Sequence, residues 1–330
     1  MKKLALNDAI ESVAATFVKV GCTSGNANSV ALALVAAEAD GLKGHGLSRI
    51  PTYLAMVVSG KIDGKAQPSA AHPRPGILAI DAANGFAYPA IDLAVSKLPE
   101  LAATQGIVAA PITRSNHCGA AGLPCESLAR QGMVALLFAN TPSAMAPWGG
   151  RQPVFGTNPI AFAAPIADRD PVVVDLALSK VARGPIVAAK QRGEAIPEGW
   201  ALDSDGNSTA DPVKALQGTM IPLGEAKGAA LAFMVEVLAA CLTGSHLAFE
   251  ASSFLDDQGG PPATGQLLIA IDPSAFGHSR FSERMAKLVV AIETQQGARL
   301  SGARRLANRA NAVRDGIVIP PEIESLLSDR

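Results

Sequence analysis

Residues 77–113 read ILAIDAANGFAYPAIDLAVSKLPELAATQGIVAAPIT, and this stretch decides the fold class. Two apolar runs of strand length, ILAID (77–81) and GIVAAPIT (106–113), flank IDLAVSKLPELAATQ (91–105), whose apolar residues follow a helical pattern. Strand–helix–strand alternation of this kind is typical of an α/β protein. The stretch therefore predicts a largely parallel or mixed central sheet that is covered by helices.

The same alternation continues on both sides of this stretch. Towards the C-terminus the sequence predicts helices at 121–131, 225–242, 281–296 and 303–313, strands at 133–140, 158–165, 171–177 and 265–272, and a polar, turn-rich stretch at 198–212. Towards the N-terminus, 27–40 has the pattern of a helix with Thr23 or Ser24 as its cap. Residues 61–76 are rich in Pro and Gly and predict a connector.

The composition is that of a chain with a sizeable core. Of the 330 residues, 48% are hydrophobic and only 4% are aromatic, so we expect an interior packed with small aliphatic side chains. This length exceeds that of a typical compact domain and predicts either one large domain with a smaller one or two to three intertwined lobes. We expect a helical lobe at 1–70 that packs with C-terminal helices at 281–330, and a mixed α/β region at 71–280.

Charge and cysteine content exclude several classes of function. The net charge is −1 and no basic run is longer than two residues, so we expect no nucleic-acid binding. The four cysteines form no CxxC pair, so we predict no metal site and no disulfide scaffold. Asp8 and Glu11 interrupt the basic N-terminus, and Lys227 and Glu236 interrupt the longest apolar run, 226–242. We therefore expect neither a signal peptide nor a membrane span, and a cytoplasmic protein.

Glycine loops of the common nucleotide-binding types are missing from the sequence. Neither GxGxxG nor GxxxxGK[ST] occurs, which argues against a Rossmann fold and against a kinase-like fold. A bound nucleotide would need another way of holding its phosphates. One candidate is a group of arginines that would otherwise form a solvated helix face: Arg299, Arg304, Arg305 and Arg309.

His45 is the candidate proton donor. It lies between two glycines in GLKGHG (41–46), and Arg49 follows four residues later. A histidine can give and take a proton near neutral pH, and an arginine can bind a carboxylate through its planar fork. The pair suits an anionic substrate that must be protonated. The alternative is a loop histidine beside a surface arginine.

Other segments combine small or polar residues with the ends of predicted strands. RSNHCGAAGLP (114–124) follows a strand and precedes a helix, where a ligand can approach backbone N–H groups. Thr157 in GTNP can hydrogen-bond a ligand or cap a turn. VVDLALSKVARG (173–184) leaves a buried strand, a position at which α/β active sites cluster. Lys227 begins an apolar helix, either as a ligand contact or as a solvated residue of the first turn.

Taken together and in order, these motifs resemble one family. The chain resembles the malate/L-lactate dehydrogenase family, whose members bind a nicotinamide cofactor without a Rossmann fold. The segments that carry this resemblance are GHGLSRIPTY, SNHCGAAG, FGTNPIAF, VVDLA, VARG, GEAKGAALAFMVEVLAACLTG and RLSGARR. The resemblance covers nearly the whole chain. Within the family, the chain is most similar to the Δ1-piperideine-2-carboxylate/Δ1-pyrroline-2-carboxylate reductases, in GKIDGKAQP, DAANGFAYPA and TGQLLIAIDP.

The resemblance implies a role for each matching residue. His45 matches the proton donor and Arg49 the arginine that binds the substrate carboxylate, whereas Thr157, Arg183 and Gly184 match further substrate contacts. Cofactor contacts are implied for His117, Cys118, Gly119, Ala120, Ala121, Gly122, Asp175, Leu176, Ala177, Lys227, Arg299, Leu300, Ser301, Gly302, Ala303, Arg304 and Arg305. The resemblance further implies a homodimer, with NADPH or NADH bound near the subunit boundary and the substrate in the 71–280 region.

Two positions depart from the pattern of the imine reductases. The residue before the histidine is commonly serine and here is Gly44, and the residue after Arg-Gly is commonly acidic and here is Pro185. Both groups that would orient and recharge the histidine are therefore missing. We expect His45 to lie on flexible backbone and to titrate near its unperturbed value of about 6.5, so that activity falls as pH rises through that range.

Three functions follow from these observations. The first is reduction of a cyclic 2-imino acid by NADPH to L-pipecolate or L-proline, as in lysine degradation or proline metabolism. A cyclic imine can arrive already protonated, so it tolerates a weakened proton relay better than a ketone does. The second is a malate- or lactate-type 2-hydroxy acid dehydrogenase that acts through the same residues. The third is a catalytically inactive metabolite-binding protein.

Overall fold

The computed structural model describes residues 2–276 and 280–327. The α-helices in these residues are α1 (Leu6–Lys19), α2 (Ser24–Ala39), α3 (Ile50–Val58), α4 (Ala87–Gln105), α5 (Gly122–Arg130), α6 (Arg183–Arg192), α7 (Pro212–Gln217), α8 (Ala226–Glu236), α9 (Phe281–Glu293), α10 (Ala303–Asp315) and α11 (Pro321–Leu327). The strands are β1 (Lys3–Leu4), β2 (Ser69–Arg74), β3 (Ile77–Asp81), β4 (Ile107–Ser115), β5 (Val134–Ala139), β6 (Ile160–Ile166), β7 (Arg169–Leu176), β8 (Ala201–Leu202), β9 (Ser208–Thr209), β10 (Thr219–Met220), β11 (Thr264–Ile271) and β12 (Ile317–Val318).

A mixed sheet forms the centre of the described residues. Its strand order is β2-β3-β4-β11-β5-β6-β7. β3 and β4 are parallel, with α4 as the crossover, and the other neighbouring strands are antiparallel. β11 enters the sheet between β4 and β5 although it is distant from both in sequence. The predicted mixed sheet covered by helices is thereby confirmed.

Helix α4 shows why the stretch that begins with ILAID folds as it does. Along β3, half-buried and buried residues alternate, as expected of a strand with one face on the core. Ala90, Ala94, Leu98 and Ala102 recur at every fourth position of α4 and are buried in the same core as the sheet. Gly106 ends the helix with a φ of 78°, which glycine adopts without steric cost. Because most of these contacts are alanines, helix and sheet approach closely without aromatic side chains.

A second core joins the two ends of the chain. Phe17 of α1 and Leu34 of α2 belong to one buried cluster with Ala312 of α10 and Ile323 of α11. β1 pairs antiparallel with β12 in the same region. The N-terminal helices therefore depend on residues from the far end of the sequence for burial of their apolar faces.

The predicted lobe boundaries at 70 and 280 stay predictions. α10 lies against α2 and α11 against α1, whereas α9 lies against β6 of the central sheet. Near the end of α9, Glu293 pairs with Arg169 of β7 at 2.8 Å. The C-terminal helices thus contact both regions. His278 and residues 328–330 lie outside the described residues.

A smaller layer, built from residues between β7 and β11, lies beside the sheet. β8, β9 and β10 form a short antiparallel sheet, so the stretch 198–212, predicted as turns, contains two short strands. α8 continues into a π-helical turn at Val237–Cys241. Among the described residues, no helix has the length and apolar character needed to cross a membrane.

Candidate active site

The loop that carries His45 is fixed by a buried carboxylate. Glu38, in the last turn of α2, accepts the backbone N–H of Leu47 at 3.0 Å through one oxygen and pairs with Lys43 through the other. A Cβ on Gly46 would overlap the Glu38 carboxylate. Glu38 therefore anchors the loop directly after His45, and glycine at position 46 allows this close approach. Flexible backbone at His45 itself stays a prediction.

The imidazole of His45 stacks on that of His117. Their ring centroids lie 5.2 Å apart and their planes differ by 17°. The hydroxyl of Tyr53 lies 2.6 Å from Nδ1 of His117 and 3.1 Å from the hydroxyl of Tyr88. The ring of Phe254 lies 5.3 Å from that of His117. The sequence placed His117 only in a cofactor-binding turn, whereas its side chain also lies against that of His45.

Burial governs the protonation of both histidines. Burial, followed by the charge of Arg49, lowers the pKa of His45 to about 4. Burial, Arg49 and His45 hold the pKa of His117 well below its ordinary value. Within the described residues, Nδ1 of His45 is buried without a hydrogen-bond partner. The expected titration near 6.5 is therefore wrong, because burial disfavours the charged imidazolium and the neighbouring guanidinium of Arg49 adds to this effect.

Among the described residues, the two arginines assigned to the substrate have no acidic partner. Arg49 donates from Nε to the carbonyl oxygen of Gly44 at 2.7 Å and from Nη1 to that of Phe254 at 3.4 Å. Arg183, the first residue of α6, is half-buried, and this burial lowers its pKa. Neither guanidinium forms an ion pair within residues 2–276 and 280–327. A half-buried cation without a carboxylate is suited to an anionic ligand.

The two segments assigned to the cofactor, 117–122 and 175–177, meet at the start of α5. The backbone N–H of Gly122 donates to Oδ2 of Asp175 at 2.7 Å. A side chain at Gly122 would crowd Asp175, and one at Gly119, whose φ is +68°, would meet a tyrosine hydroxyl. Burial raises the pKa of Asp175, although the Gly122 N–H and the charge of Arg305 oppose this. The other turn residues after His117 are also buried: Cys118, Ala120 and Ala121.

The groups around this turn fit a nicotinamide nucleotide. Only glycine fits at 119 and 122, because the side chains of Tyr88 and Asp175 lie close against the backbone at these two positions. Beside the turn, the side-chain NH2 of Asn116 and the carbonyl oxygen of Gln266 are buried without partners among the described residues. A carboxamide offers one acceptor and one donor and so matches both groups chemically. Leu176 ends β7 with its side chain partly exposed, and Ala177 follows half-buried.

The arginines near the C-terminus are of two kinds. Arg305 and Arg309 are bonded to the buried carboxylates of Asp40 and Glu126 at 2.6–2.9 Å. The interpretation of these two as a solvated basic face is therefore wrong, since carboxylates inside the protein neutralise them. Arg305, which was assigned to the cofactor, reaches both carboxylates through Nη1. The exposed members of the group are Arg299 and Arg304.

The residues between these arginines form the entrance to α10. Gly302 precedes the helix in the left-handed conformation, with a φ of 88°. A cavity of about 290 Å³ lies beside it, lined in part by Leu300, Ser301, Ala303, Asp170 and Glu293. β7 runs from this cavity, at Asp170, to the turn at 117–122, at Asp175. One strand therefore connects two of the groups assigned to the cofactor.

A buried network of amides and a carboxylate supports Thr157. The N–H of Thr157 donates to Oγ1 of Thr141 at 2.9 Å. The next residue, Asn158, donates from Nδ2 to Glu236 at 2.8 Å, and Asn140 donates to the other oxygen of Glu236 at 3.2 Å. Burial raises the pKa of Glu236 despite these bonds. The sequence marked Glu236 only as a charge that interrupts an apolar helix, because its buried partners are distant in sequence.

Several residues assigned to ligands, and the two positions that lack the relay groups, lie at the surface. Lys227 is exposed in the first turn of α8, and Gly184 is exposed in the first turn of α6. The two positions without relay groups, Gly44 and Pro185, are exposed as well. In the part of the chain that the structure describes, no three His, Cys, Asp or Glu side chains group as metal ligands.

Known proteins of this architecture share both sequence and fold with the chain. The sequence profile described as malate/L-lactate dehydrogenase matches residues 4–327, which confirms the resemblance. The chain is 49% identical to the (2R)-3-sulfolactate dehydrogenase (NADP(+)) of Chromohalobacter salexigens over 308 residues, 93% of this chain and 92% of that protein. It is 39% identical to the Δ1-pyrroline-2-carboxylate/Δ1-piperideine-2-carboxylate reductase of Pseudomonas putida over 310 residues, 92% and 90% of the two chains. The crystal structure of Δ1-piperideine-2-carboxylate reductase from Pseudomonas syringae pv. tomato has a TM-score of 0.93 at 38% identity, covering 100% of this chain and 99% of that one. The chain therefore belongs to the malate/L-lactate dehydrogenase family and is an oxidoreductase.

Proposed function

We propose that this oxidoreductase uses NADPH to reduce a 2-oxo acid that carries a second anionic group, with 3-sulfopyruvate and (2R)-3-sulfolactate as the best-supported pair. The observation that carries the proposal is that two half-buried arginines, Arg49 and Arg183, have no acidic partner in the described residues. A substrate with a carboxylate and a sulfonate would neutralise both. The identity of 49% to a protein named as an NADP(+)-dependent sulfolactate dehydrogenase supports this choice.

Each residue has one task in the proposed reaction. Arg49 binds the carboxylate, and Arg183 binds the sulfonate. His45 donates a proton to the carbonyl oxygen. NADPH, when bound, supplies the hydride, and the turn at 117–122 with Asp175 would hold it. A carboxylate on Arg49 offsets the charge that lowers the pKa of His45 and thereby stabilises the protonated ring.

A second candidate is the reduction of a cyclic 2-imino acid. The low pKa of His45 favours it, because a basic imine can arrive protonated and then needs less help than a ketone. The relatives from Pseudomonas putida and Pseudomonas syringae carry the names of such reductases. A substrate with a single carboxylate would engage Arg49 and leave Arg183 without a partner. The inactive alternative would turn over neither class of substrate.

A substrate panel separates these candidates. NADPH oxidation is measured with 3-sulfopyruvate, oxaloacetate, pyruvate, Δ1-piperideine-2-carboxylate and Δ1-pyrroline-2-carboxylate, for wild type, Arg183→Ala and the control Lys190→Ala on the same helix. We expect the highest kcat/KM for 3-sulfopyruvate. Arg183→Ala should lower this kcat/KM by a factor that corresponds to about 1.5–3 kcal/mol of transition-state binding, and it should leave kcat/KM for pyruvate unchanged. The highest kcat/KM for an imino acid, insensitive to Arg183→Ala, would replace the first candidate by the second. Activity with none of the five would favour the inactive alternative.

We also propose that the protein is a homodimer formed through α8 and the turn after it. Leu231, Phe233, Met234, Val237 and Leu242 are exposed large apolar side chains in this region. A patch of this kind is typical of a protein–protein interface. Light scattering should give a dimer for wild type and a monomer for Phe233→Glu, and a monomeric wild type would contradict the proposal. A cytoplasmic location stays a prediction.

A further inference from the structure

Lys61, which follows α3, is buried with its charged end pointing into the protein. Its side chain has no accessible surface. Lysine is almost never fully buried unless its amino group is paired. Nζ donates to the carbonyl oxygens of Ser253 and Gln258, each at 2.7 Å, and of Asp256 at 3.1 Å. The three N–H donors of one side chain are therefore used on a single segment, residues 253–258, which we name the roof loop.

The roof loop belongs to a long connection without regular structure. Residues 242–263, between the π-helical turn and β11, contain neither helix nor strand. A connection of this length is unusual in a compact fold unless it serves a function. Its backbone carbonyl groups need partners when they are buried, and Lys61 supplies them from a different part of the chain.

The roof loop contacts both the histidine pair and the arginine of the site. Phe254 is buried, and its ring lies 5.3 Å from that of His117. Its carbonyl oxygen accepts a hydrogen bond from Arg49 at 3.4 Å. His45 stacks on His117, so the roof loop adjoins Arg49 and His117 directly and His45 through His117.

We propose that Phe254 is a specificity-determining residue of this site and that Lys61 is its positioning residue. By holding three carbonyl groups, Lys61 fixes the path of the roof loop and hence the place of the Phe254 ring. A substrate whose carboxylate binds Arg49 and whose carbonyl group faces His45 adjoins this ring, which limits the size of the substituent on C3. The inference rests on the proposed function for the choice of substrate, whereas the anchoring of the loop stands on the contacts of Lys61.

The test compares two lysines of one connector. Lys61→Met keeps the apolar stem of the side chain and removes its donors, and Lys65→Met, at an exposed position, is the matched control. The readouts are hydrogen exchange of the 253–258 amides and steady-state kinetics with pyruvate, 3-sulfopyruvate and the bulkier phenylpyruvate. In Lys61→Met we expect faster hydrogen exchange of the 253–258 amides and a KM for 3-sulfopyruvate that is raised about tenfold. We also expect a larger ratio of kcat/KM for phenylpyruvate to kcat/KM for pyruvate. Lys65→Met should change none of these.

A second variant keeps the proposal testable if Lys61→Met does not fold. Phe254→Ala should by itself raise the same kcat/KM ratio. When Lys61→Met does fold, adding it to Phe254→Ala should raise the ratio no further, because both act on one contact. A purely structural Lys61 would lower stability and leave the ratio unchanged, which would overturn the proposal, as would an unchanged ratio in Phe254→Ala. If only imino acids are turned over, the proposed substrate is wrong. The role of Phe254 is then tested by the ratio of kcat/KM for the six-membered imino acid to kcat/KM for the five-membered one. If nothing is turned over, the specificity proposal fails, and hydrogen exchange alone decides the anchoring of the loop.

Discussion

The histidine site and the cluster of Asp40, Glu126, Arg305 and Arg309 both bring charged side chains out of water, but they treat charge in opposite ways. In the cluster, each guanidinium is bonded to both carboxylates. At the histidine site, Arg49 has only backbone carbonyl partners among the described residues. Paired charges hold helices together, whereas a cation left without an acid is ready for an anionic ligand. Pairing, and not residue type, separates the arginines that buried carboxylates neutralise from an arginine that is left open to an anionic ligand.

Removing His45 tests the histidine site and should have the largest effect of all on catalysis. His45→Ala removes the proposed proton donor, so we expect kcat for 2-oxo acid reduction to fall about 10²–10⁴-fold. Cyclic imines that arrive protonated should lose less. Thermal unfolding of the variant should match wild type. Wild-type kcat on both substrate classes would show that His45 is not the donor.

The pH dependence sharpens the same point. The free site has a His45 pKa of about 4, so kcat/KM for reduction should fall as pH rises above that value. A bound carboxylate offsets the charge of Arg49, so the decline in kcat should begin at a higher pH than the decline in kcat/KM. Coincident profiles would show that the carboxylate does not act on His45.

Breaking the paired cluster should affect stability instead of chemistry. Glu126→Gln leaves the partly buried guanidinium groups of Arg305 and Arg309 with Asp40 as their one carboxylate, and we expect the free energy of unfolding to drop by about 3 kcal/mol. Glu293→Gln, at the exposed pair with Arg169, is the control and should leave urea denaturation unchanged. A Glu126→Gln protein that denatures like wild type would show that the cluster does not hold α10 in place.

The same carboxylate predicts a pH window for stability. Burial alone raises the pKa of Glu126, but the hydrogen bond from Arg309 and the charge of Arg305 outweigh it and lower the pKa to about 2 from an ordinary 4.5. Its contribution to stability is therefore complete above pH 4.5 and is lost as the pH falls towards 2. In acid titrations, Glu126→Gln should lose less stability across this window than wild type does.

Changing Arg49 tests the guanidinium that lacks an acidic partner, and we expect a smaller effect, on KM. Arg49→Lys keeps the charge but loses the planar fork, so KM for the 2-oxo acid should rise, at a cost of about 1.5–3 kcal/mol in binding. Hydride transfer in the bound complex should change less, so kcat should hold. An unchanged KM would mean that another group, such as Arg183, binds the carboxylate.

The smallest effect is expected at the exposed cations assigned to the cofactor. Lys227→Ala combined with Arg304→Ala should weaken NADPH binding by about 1 kcal/mol, roughly fivefold, because exposed charges contribute little. Calorimetry measures it, and the exposed Lys190→Ala is the control. An unchanged affinity would remove both residues from the cofactor site.

The sequence alone predicted the α/β class, the mixed sheet, most elements and the family. Local patterns carry this information, because burial on one face of a strand or helix repeats with a fixed period. Local patterns could not predict that β11 lies between β4 and β5, because strand order depends on contacts between distant segments. Likewise, motif and spacing brought His45 and Arg49 together as candidates, four residues apart on one loop.

Tertiary structure decided how these groups are held and charged. Glu38 fixes the His45 loop, His117 stacks on the ring, and Lys61 anchors the roof loop from across the fold. None of these partners is signalled locally, because hydrogen bonding and desolvation depend on what lies nearby in space. For the same reason the sequence could not separate Arg305, neutralised by buried acids, from an arginine free to bind a ligand. A pKa of about 4 at His45 likewise follows from burial and a neighbouring guanidinium, which only the folded chain provides.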